Sequence, residues 1–170
     1  MENKDTVNGK GLIKLDKYRK PEDMDEEIFL KLIDTGQANP YETKTGTNIF
    51  LTVGWTEILK LITGASTSHF DSTNATIGVG DSATAAAAGQ TDLIGSNKKY
   101  KGMSSGYPTV PATGTVVFKA RFLTSEANYT WAELVLKNSA SVVSWNRKAT
   151  GWGTKTATEV WNMTLTLGVA

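Results

Sequence analysis

Residues 115–122, TVVFKARF, and residues 159–167, EVWNMTLTL, decide the fold, because each alternates apolar and polar side chains with a period of two. Successive side chains of a β-strand point to opposite faces of the sheet. The alternation is therefore typical of strands that bury one face in an antiparallel sheet. The apolar positions of the two segments are Val116, Phe118, Ala120, Phe122, Trp161, Met163, Leu165 and Leu167.

Further strands are predicted on both sides of these two segments, so the fold class is mainly β. An antiparallel sandwich and a barrel both fit the pattern, since each buries one face of every strand. Glycine, asparagine and serine between the apolar runs indicate turns. The predicted strands are 11–19, 76–80, 115–122, 128–136, 141–147 and 156–167, with turns at 138–139 and 149–154.

One amphipathic helix is predicted at 52–63. Its apolar residues Trp55, Ile58, Leu59 and Ile62 follow the spacing i, i+3, i+4, i+7 and so share one face. Gly64 stands where a helix commonly ends in a left-handed residue. We expect this face, Trp55 included, to pack against the sheet.

The first 47 residues are predicted to form an N-terminal strand or arm and a linker, and residues 48–170 a β-rich domain. Residues 21–33 begin with a proline and several acids, which is a helix-start signature, with Met24, Ile28 and Leu32 as the apolar stripe. An extended arm is the alternative for this segment. Residues 34–48 contain two glycines and a proline and are predicted to be a turn-rich linker.

Composition limits the classes of protein to consider. The 170 residues include no cysteine and one histidine, which excludes disulfides and thiol nucleophiles and fits folding in a reducing cytoplasm. No signal peptide or membrane-spanning run is recognised. The net charge of +1 is uneven, from −2 over residues 1–50 and −3 over 51–95 to +6 over 96–170. The cations are too dispersed to predict direct nucleic-acid binding.

No catalytic residue, cofactor or metal site is predicted, and the chain is not expected to be an enzyme. His69 and Asp71 lie near Ser66 but outside any nucleophile motif. Residues 78–82, GVGDS, lack the ending of a phosphate-binding loop and are interpreted as a strand that ends in a turn. The acidic residues 22–27 do not have the spacing of a calcium loop.

Two aromatic residues are candidates for an interaction surface. Trp152 lies between two glycines, outside the strand alternation, so it could cap the core, anchor a subunit interface or stack on a sugar. Tyr107, in a loop rich in glycine, serine and proline, is the second candidate.

The order of several short segments resembles a family of small virion structural proteins of tailed bacteriophages, over roughly residues 11–170. The acidic segment 22–32 departs from the plain linker expected of that family. The segments are NIFLTVGW (48–55), LITG (61–64), IGVGDS (77–82), QTDL (90–93), KGM (101–103), GYP (106–108), FKARF (118–122), EAN (126–128), Trp131, Glu133, NRK (146–148) and GTKT (153–156).

The resemblance implies a non-enzymatic component of the virion, made in the host cytoplasm. The first hypothesis is a capsid decoration or cement protein that docks on the major capsid protein and bridges neighbouring subunits. The alternative is a neck, tail or fibre component, with receptor or glycan binding. Such proteins form homo-oligomers, here expected to be trimers by analogy, without a membrane. The arm residues Ile13, Leu15 and Tyr18 are the predicted contacts to a neighbour.

Overall fold

Residues 9–169 are described by a computed structural model, and they form ten strands and two helices. The strands are β1 (Gly9–Arg19), β2 (Glu42–Thr47), β3 (Ile49–Phe50), β4 (Ala75–Gly80), β5 (Lys98–Gly102), β6 (Thr109–Ala112), β7 (Thr115–Phe122), β8 (Thr130–Asn138), β9 (Val143–Thr154) and β10 (Glu159–Val169), and the helices are α1 (Glu26–Asp34) and α2 (Thr52–Ile62).

The strands form two five-stranded antiparallel sheets, which confirms the mainly-β prediction and favours the sandwich over the barrel. Sheet A has the order β2-β1-β10-β7-β6, and sheet B has the order β3-β9-β8-β4-β5. Each pairing described is antiparallel. One apolar core lies between the sheets and takes side chains from both.

The first strand, predicted at 11–19, is an inner strand of sheet A, so the described part of the predicted N-terminal strand or arm belongs to the sandwich. β1 pairs with β10 on one side and with β2 on the other, so that Ile13 opposes both Leu165 and Gly46. The segment predicted as a linker thus contributes β2 to the same sheet. Because both edges of β1 are hydrogen-bonded within its own chain, it cannot add to the sheet of a neighbour.

The alternation that defined β7 and β10 is confirmed by burial. Phe118, Ala120 and Phe122 of β7 face the core, as do the alternate residues of β10. Trp131 of β8 packs edge-on between Phe122 and Trp161, with ring centroids 4.7 and 4.6 Å apart. These rings join the two sheets, because Trp131 belongs to sheet B and the others to sheet A.

The region after the first strand folds as helix α1, so the helix rather than the extended arm is observed there. Asp25 caps it by accepting hydrogen bonds from the amides of Glu27 and Ile28 at 2.8 and 3.2 Å. The predicted stripe is displaced by one position: Ile28 is exposed, whereas Phe29 and Ile33 are buried. These two side chains cover residues of β1 and β10 on the outer face of sheet A.

Helix α2 is confirmed at the predicted place, but it packs through a different face. Gly54 and Glu57 are its buried residues, whereas Leu59 and Ile62 are 61% and 76% exposed. A Cβ atom on Gly54 would lie 2.4 Å from the Trp145 Cα. The helix therefore rests backbone to backbone on β9, and this close approach turns much of the apolar face outward.

Some loops and turns also differ from the prediction. β9 runs through residues 149–154, where a turn was expected, and β5 and β6 form in segments for which no strand was predicted. The turn after residue 138 is confirmed, and Gly64 has the expected positive φ, at 72°. Short polar strands such as β5 have no apolar alternation, so their sequences carry no strand signal.

Replacing Gly54 by alanine tests the packing of α2. In a solvent-exposed helix this change stabilises by about 1 kcal/mol, whereas here we expect a loss of about 1–3 kcal/mol, because the new methyl group meets backbone. Thermal denaturation followed by circular dichroism measures the difference. Gly89→Ala is the matched control, since its Cβ would enter open space. A stabilised Gly54→Ala protein would contradict the packing.

Candidate functional site

A buried ion pair lies on the outer face of sheet B. Glu133 of β8 and Arg147 of β9 are both fully buried, and the guanidinium Nε and Nη2 donate to Glu133 Oε2 at 3.0 and 2.7 Å. The other carboxylate oxygen accepts from the amide of Gly95 at 2.7 Å. Arg147 Nη1 donates to the Thr84 carbonyl and to Gln90 Oε1 at 3.0 and 2.9 Å.

This pair fixes the segment 81–97, defined here as the cover segment, against sheet B. Each charged atom faces a partner within the fold, which is the condition for a buried pair to be tolerated. Asp81 helps by accepting from the amide and side chain of Asn97 at 3.1 and 2.7 Å. Gly80 makes room for the pair, since a Cβ on this residue would lie 2.4 Å from Glu133 Oε1.

Asp92 also forms an ion pair and hydrogen bonds that hold the cover segment against sheet B. It pairs with Lys137 and accepts hydrogen bonds from the Tyr100 hydroxyl at 2.8 Å and the Ser144 hydroxyl at 3.3 Å. Burial acts to raise the pKa of Asp92, but the hydrogen bonds from Lys137 and Tyr100 outweigh it and hold the pKa below its ordinary value. This carboxylate is an ionised structural acceptor.

The loop of His69 does not assemble a catalytic triad. The Ser66 hydroxyl donates to Glu57 at 2.5 Å. Asp71 accepts from the amides of Thr73 and Asn74 at 3.0 and 2.8 Å, as in a local turn. His69 is exposed, and the hydrogen bonds of Ser66 and Asp71 go to other residues.

Lys155 is a buried lysine whose pKa is lowered. It is 1% exposed, and its ammonium donates to the Leu123 carbonyl at 2.7 Å and to Asn128 Oδ1 at 2.9 Å. Burial lowers the pKa of Lys155 to about 8, because neutral acceptors replace water around the charge. The contacts tie the turn after β7 to the end of β9.

Most of the predicted interface residues lie in the interior. Ile13, Leu15 and Trp152 are at most 1% exposed, and Tyr18 lies under α1, so none of them can contact a neighbour as predicted. Trp152 is in the core because β9 continues through it and turns its ring inward. Of the three interpretations of this residue, the core is observed. Tyr107 is half-buried at the rim of a polar cavity.

An apolar groove, named here the α2 groove, opens beside the helix and has a volume of about 300 Å³. Three aromatic rings form its base: Phe50 lies 5.3 Å from Trp55 and 5.9 Å from Trp145, centroid to centroid. Val110, 74% exposed on β6, and Val116 form the opposite wall. The remaining lining residues are Gly114, Thr115, Leu167 and Gly168.

The exposed apolar residues of α2 extend this groove. Trp55 lines the groove, and Leu59 and Ile62 follow at i+4 and i+7 on the same helix face. Groove and helix face together form one apolar surface, which we name the α2 surface. Uncovered apolar surfaces of this kind commonly mark contacts with other molecules.

The sequence alone missed the α2 surface. Its residues come from β3, α2, the β6–β7 hairpin and the ends of β9 and β10, which no single periodicity connects. One signal was present: a glycine inside an amphipathic helix often marks a close backbone contact. Gly54 indicates which face of the helix packs against the sheet. The apolar residues on the other side of the helix are therefore expected to be exposed.

Comparisons with protein-family models, curated proteins and solved structures returned no match for this chain. Within residues 9–169, no group of three or more histidine, aspartate or glutamate side chains is placed to hold a metal ion. The same part of the chain has no helix of the length and apolar character needed to cross a bilayer.

The buried pair is tested by a charge-removal cycle. Arg147→Met leaves the buried Glu133 carboxylate without its counter-charge and is expected to destabilise the protein by about 3–5 kcal/mol. Adding Glu133→Gln removes that charge and keeps an acceptor for the Gly95 amide. The double variant should therefore regain about 2 kcal/mol of the lost free energy of unfolding. Urea denaturation gives both values. A double variant no more stable than Arg147→Met would contradict the argument.

Lys155 predicts an unusual pH dependence. Its pKa of about 8 in the folded chain lies below the ordinary 10.5, so between these values the unfolded chain holds the proton that the folded chain has lost. Its contribution to the free energy of unfolding therefore rises with pH in this window, by at most about 1.4 kcal/mol per pH unit, and is lowest below pH 8.

The measurement compares the wild type with Lys155→Met by chemical denaturation from about pH 7.5 to 9.5, below the range where unfolded tyrosines ionise. The wild type should gain stability relative to the variant as the pH rises. Equal slopes for the two proteins would contradict a lowered pKa.

Proposed function

We propose that this protein is a non-enzymatic structural component of a tailed-phage virion that decorates the capsid. Two lines support the proposal: the resemblance carried by the sequence segments, and the α2 surface. The α2 surface is the observation that carries it, because a stable particle component needs a preformed surface for its neighbours. The proposed location is the virion, after synthesis in the host cytoplasm.

The α2 surface has the properties of a docking site. Burying Leu59 and Ile62 against a partner contributes roughly 1.5–3 kcal/mol for each side chain. The groove beside them is lined by rings, which are enriched at the centres of interfaces. Repeated over many copies on a particle, contacts of this size add up to strong attachment through avidity.

The proposed partners are the major capsid protein and further copies of this chain. A trimer remains our proposal for the assembly, by analogy with decoration proteins and fibres. Because β1 is held inside its own sheet, subunits would associate through side-chain surfaces rather than by donating a strand. The folded cover segment gives the molecule a rigid outline before assembly.

A neck, tail or fibre component is the second candidate. Trp152 is buried and therefore cannot stack on a glycan in such a component. The half-buried Tyr107 beside a polar cavity favours it independently.

Binding of the protein to expanded capsids that lack it can be measured by co-sedimentation. The wild-type chain should co-sediment with them, and Leu59→Ser/Ile62→Ser should lose at least about tenfold in affinity, because two apolar contacts are removed. Ile28→Ser is the control, since it removes an isoleucine of α1 that is 58% exposed, close to the 61% of Leu59. Both variants should unfold close to the wild-type temperature, since surface changes alter stability little.

Immunogold electron microscopy of the parent virions locates the protein. Label over the head, together with the loss of binding in the α2 variant alone, supports decoration. Label confined to the neck, tail or fibre tips overturns decoration in favour of the second candidate. Equal binding of both variants would show that the α2 surface is not the docking site.

A further inference from the structure

A polar cavity of about 440 Å³ lies at the opposite end of β7 from the α2 groove. Lys119 and Arg121 of β7 form its floor, and Tyr107 stands at its side. Asp34, the last residue of α1, closes another side. The remaining lining residues are Lys101, Gly102, Met103, Ser104, Ser105 and Leu123.

The charges around the cavity do not balance. Lys101 is paired with Glu126, with its ammonium 2.6 and 2.8 Å from the carboxylate oxygens. Arg121 is paired with Asp34 in a bidentate contact. Lys119 lines the same cavity, and no carboxylate in residues 9–169 lies within ion-pair distance of it. Three cations thus face two carboxylates, Asp34 and Glu126, and one positive charge is in excess, since Asp34 acts on Lys119 only through space.

The ammonium of Lys119 lies beside an aromatic ring. Lys119 Nζ lies 5.7 Å from the centroid of the Tyr107 ring, within the range of a cation–π contact. The lysine backbone is fixed too, since its carbonyl accepts a hydrogen bond from the Ser104 amide at 2.8 Å and its residue opposes Thr164 of β10. The cation therefore projects from a rigid strand.

Further hydrogen-bonding groups surround this charge. Ser104 and Ser105 also line the cavity, and no side-chain hydrogen bond of either residue is found within residues 9–169. Met103 and Leu123 add apolar surface. A charged group, free hydroxyls and an aromatic face around a concave space of this size form the pattern of a site for a small ligand.

We propose that this cavity binds a hexuronate, an acidic sugar whose carboxylate pairs with Lys119 and whose ring lies against Tyr107. A carboxylate supplies the single negative charge that the cavity lacks. The sugar hydroxyls match the free serine hydroxyls, and the apolar face of the pyranose ring suits the tyrosine. The proposal does not depend on where the protein sits in the virion.

The carboxylates near the cavity determine which ligand charge it prefers. Asp34 and Glu126 are already compensated, so a ligand with one negative charge neutralises the site. A dianionic phosphate would bring excess negative charge beside Asp34, whose pKa the hydrogen bond from Arg121 already holds low. A neutral sugar would leave Lys119 unpaired. The cavity should therefore prefer hexuronates to phosphate and to neutral hexoses.

Titration calorimetry or NMR titration of the full chain with glucuronate tests the proposal, with glucose and inorganic phosphate as comparison ligands. We expect saturable binding of glucuronate that weakens with added salt, and at least about tenfold weaker binding of glucose. Absence of saturable glucuronate binding would overturn the proposal. Tighter binding of phosphate would equally overturn it, as would equal binding of glucose.

Variants assign the binding to the cavity. Lys119→Met should weaken glucuronate binding at least about tenfold, whereas Lys119→Arg keeps the charge and should retain most of it. Lys148→Met is the matched control, because Lys148 is a half-buried strand lysine that does not line the cavity. Unchanged binding in Lys119→Met would overturn the assignment. Capsid docking through the α2 surface is measured separately, so the two proposals can fail independently.

Discussion

The buried pair of Glu133 and Arg147 is the contact on which the outer face of sheet B depends. Two opposite charges removed from water are stable only when each remaining donor and acceptor has a partner. The cover segment supplies these partners, through the amides of Ile94 and Gly95 and the carbonyl of Thr84. A run of alanines and glycines without the bulk to form a core of its own is ordered in this way by two side chains of the sheet.

The same arrangement places helix α2. The amide of Thr52, the first residue of the helix, donates to the Ala88 carbonyl of the cover segment at 2.9 Å. Gly54 then brings the helix backbone onto β9 at Trp145. The helix is thus fixed to the cover segment at its first residue and to β9 at Gly54, and the apolar residues that it does not use for packing form the α2 surface.

Strand β7 connects the two candidate binding regions. Its first residues, Thr115 and Val116, line the apolar α2 groove, and Lys119 and Arg121 line the polar cavity. Between them Phe118 is buried in the core. A rigid inner strand that contributes to both regions holds them at a fixed separation.

The sequence by itself determined the mainly-β class, the strands with clear alternation and the position of α2, because period and turn residues are local properties. Tertiary structure alone decided that β1 is an inner strand, since pairing with β10 joins residues far apart in the chain. It also decided that Trp152 is buried and that Leu59 is exposed. Periodicity identifies an apolar face, but the close contact at Gly54 determines which face is covered. The polar cavity was equally hidden from the sequence, because its lining residues come from α1, β5, β7 and the loop after β5.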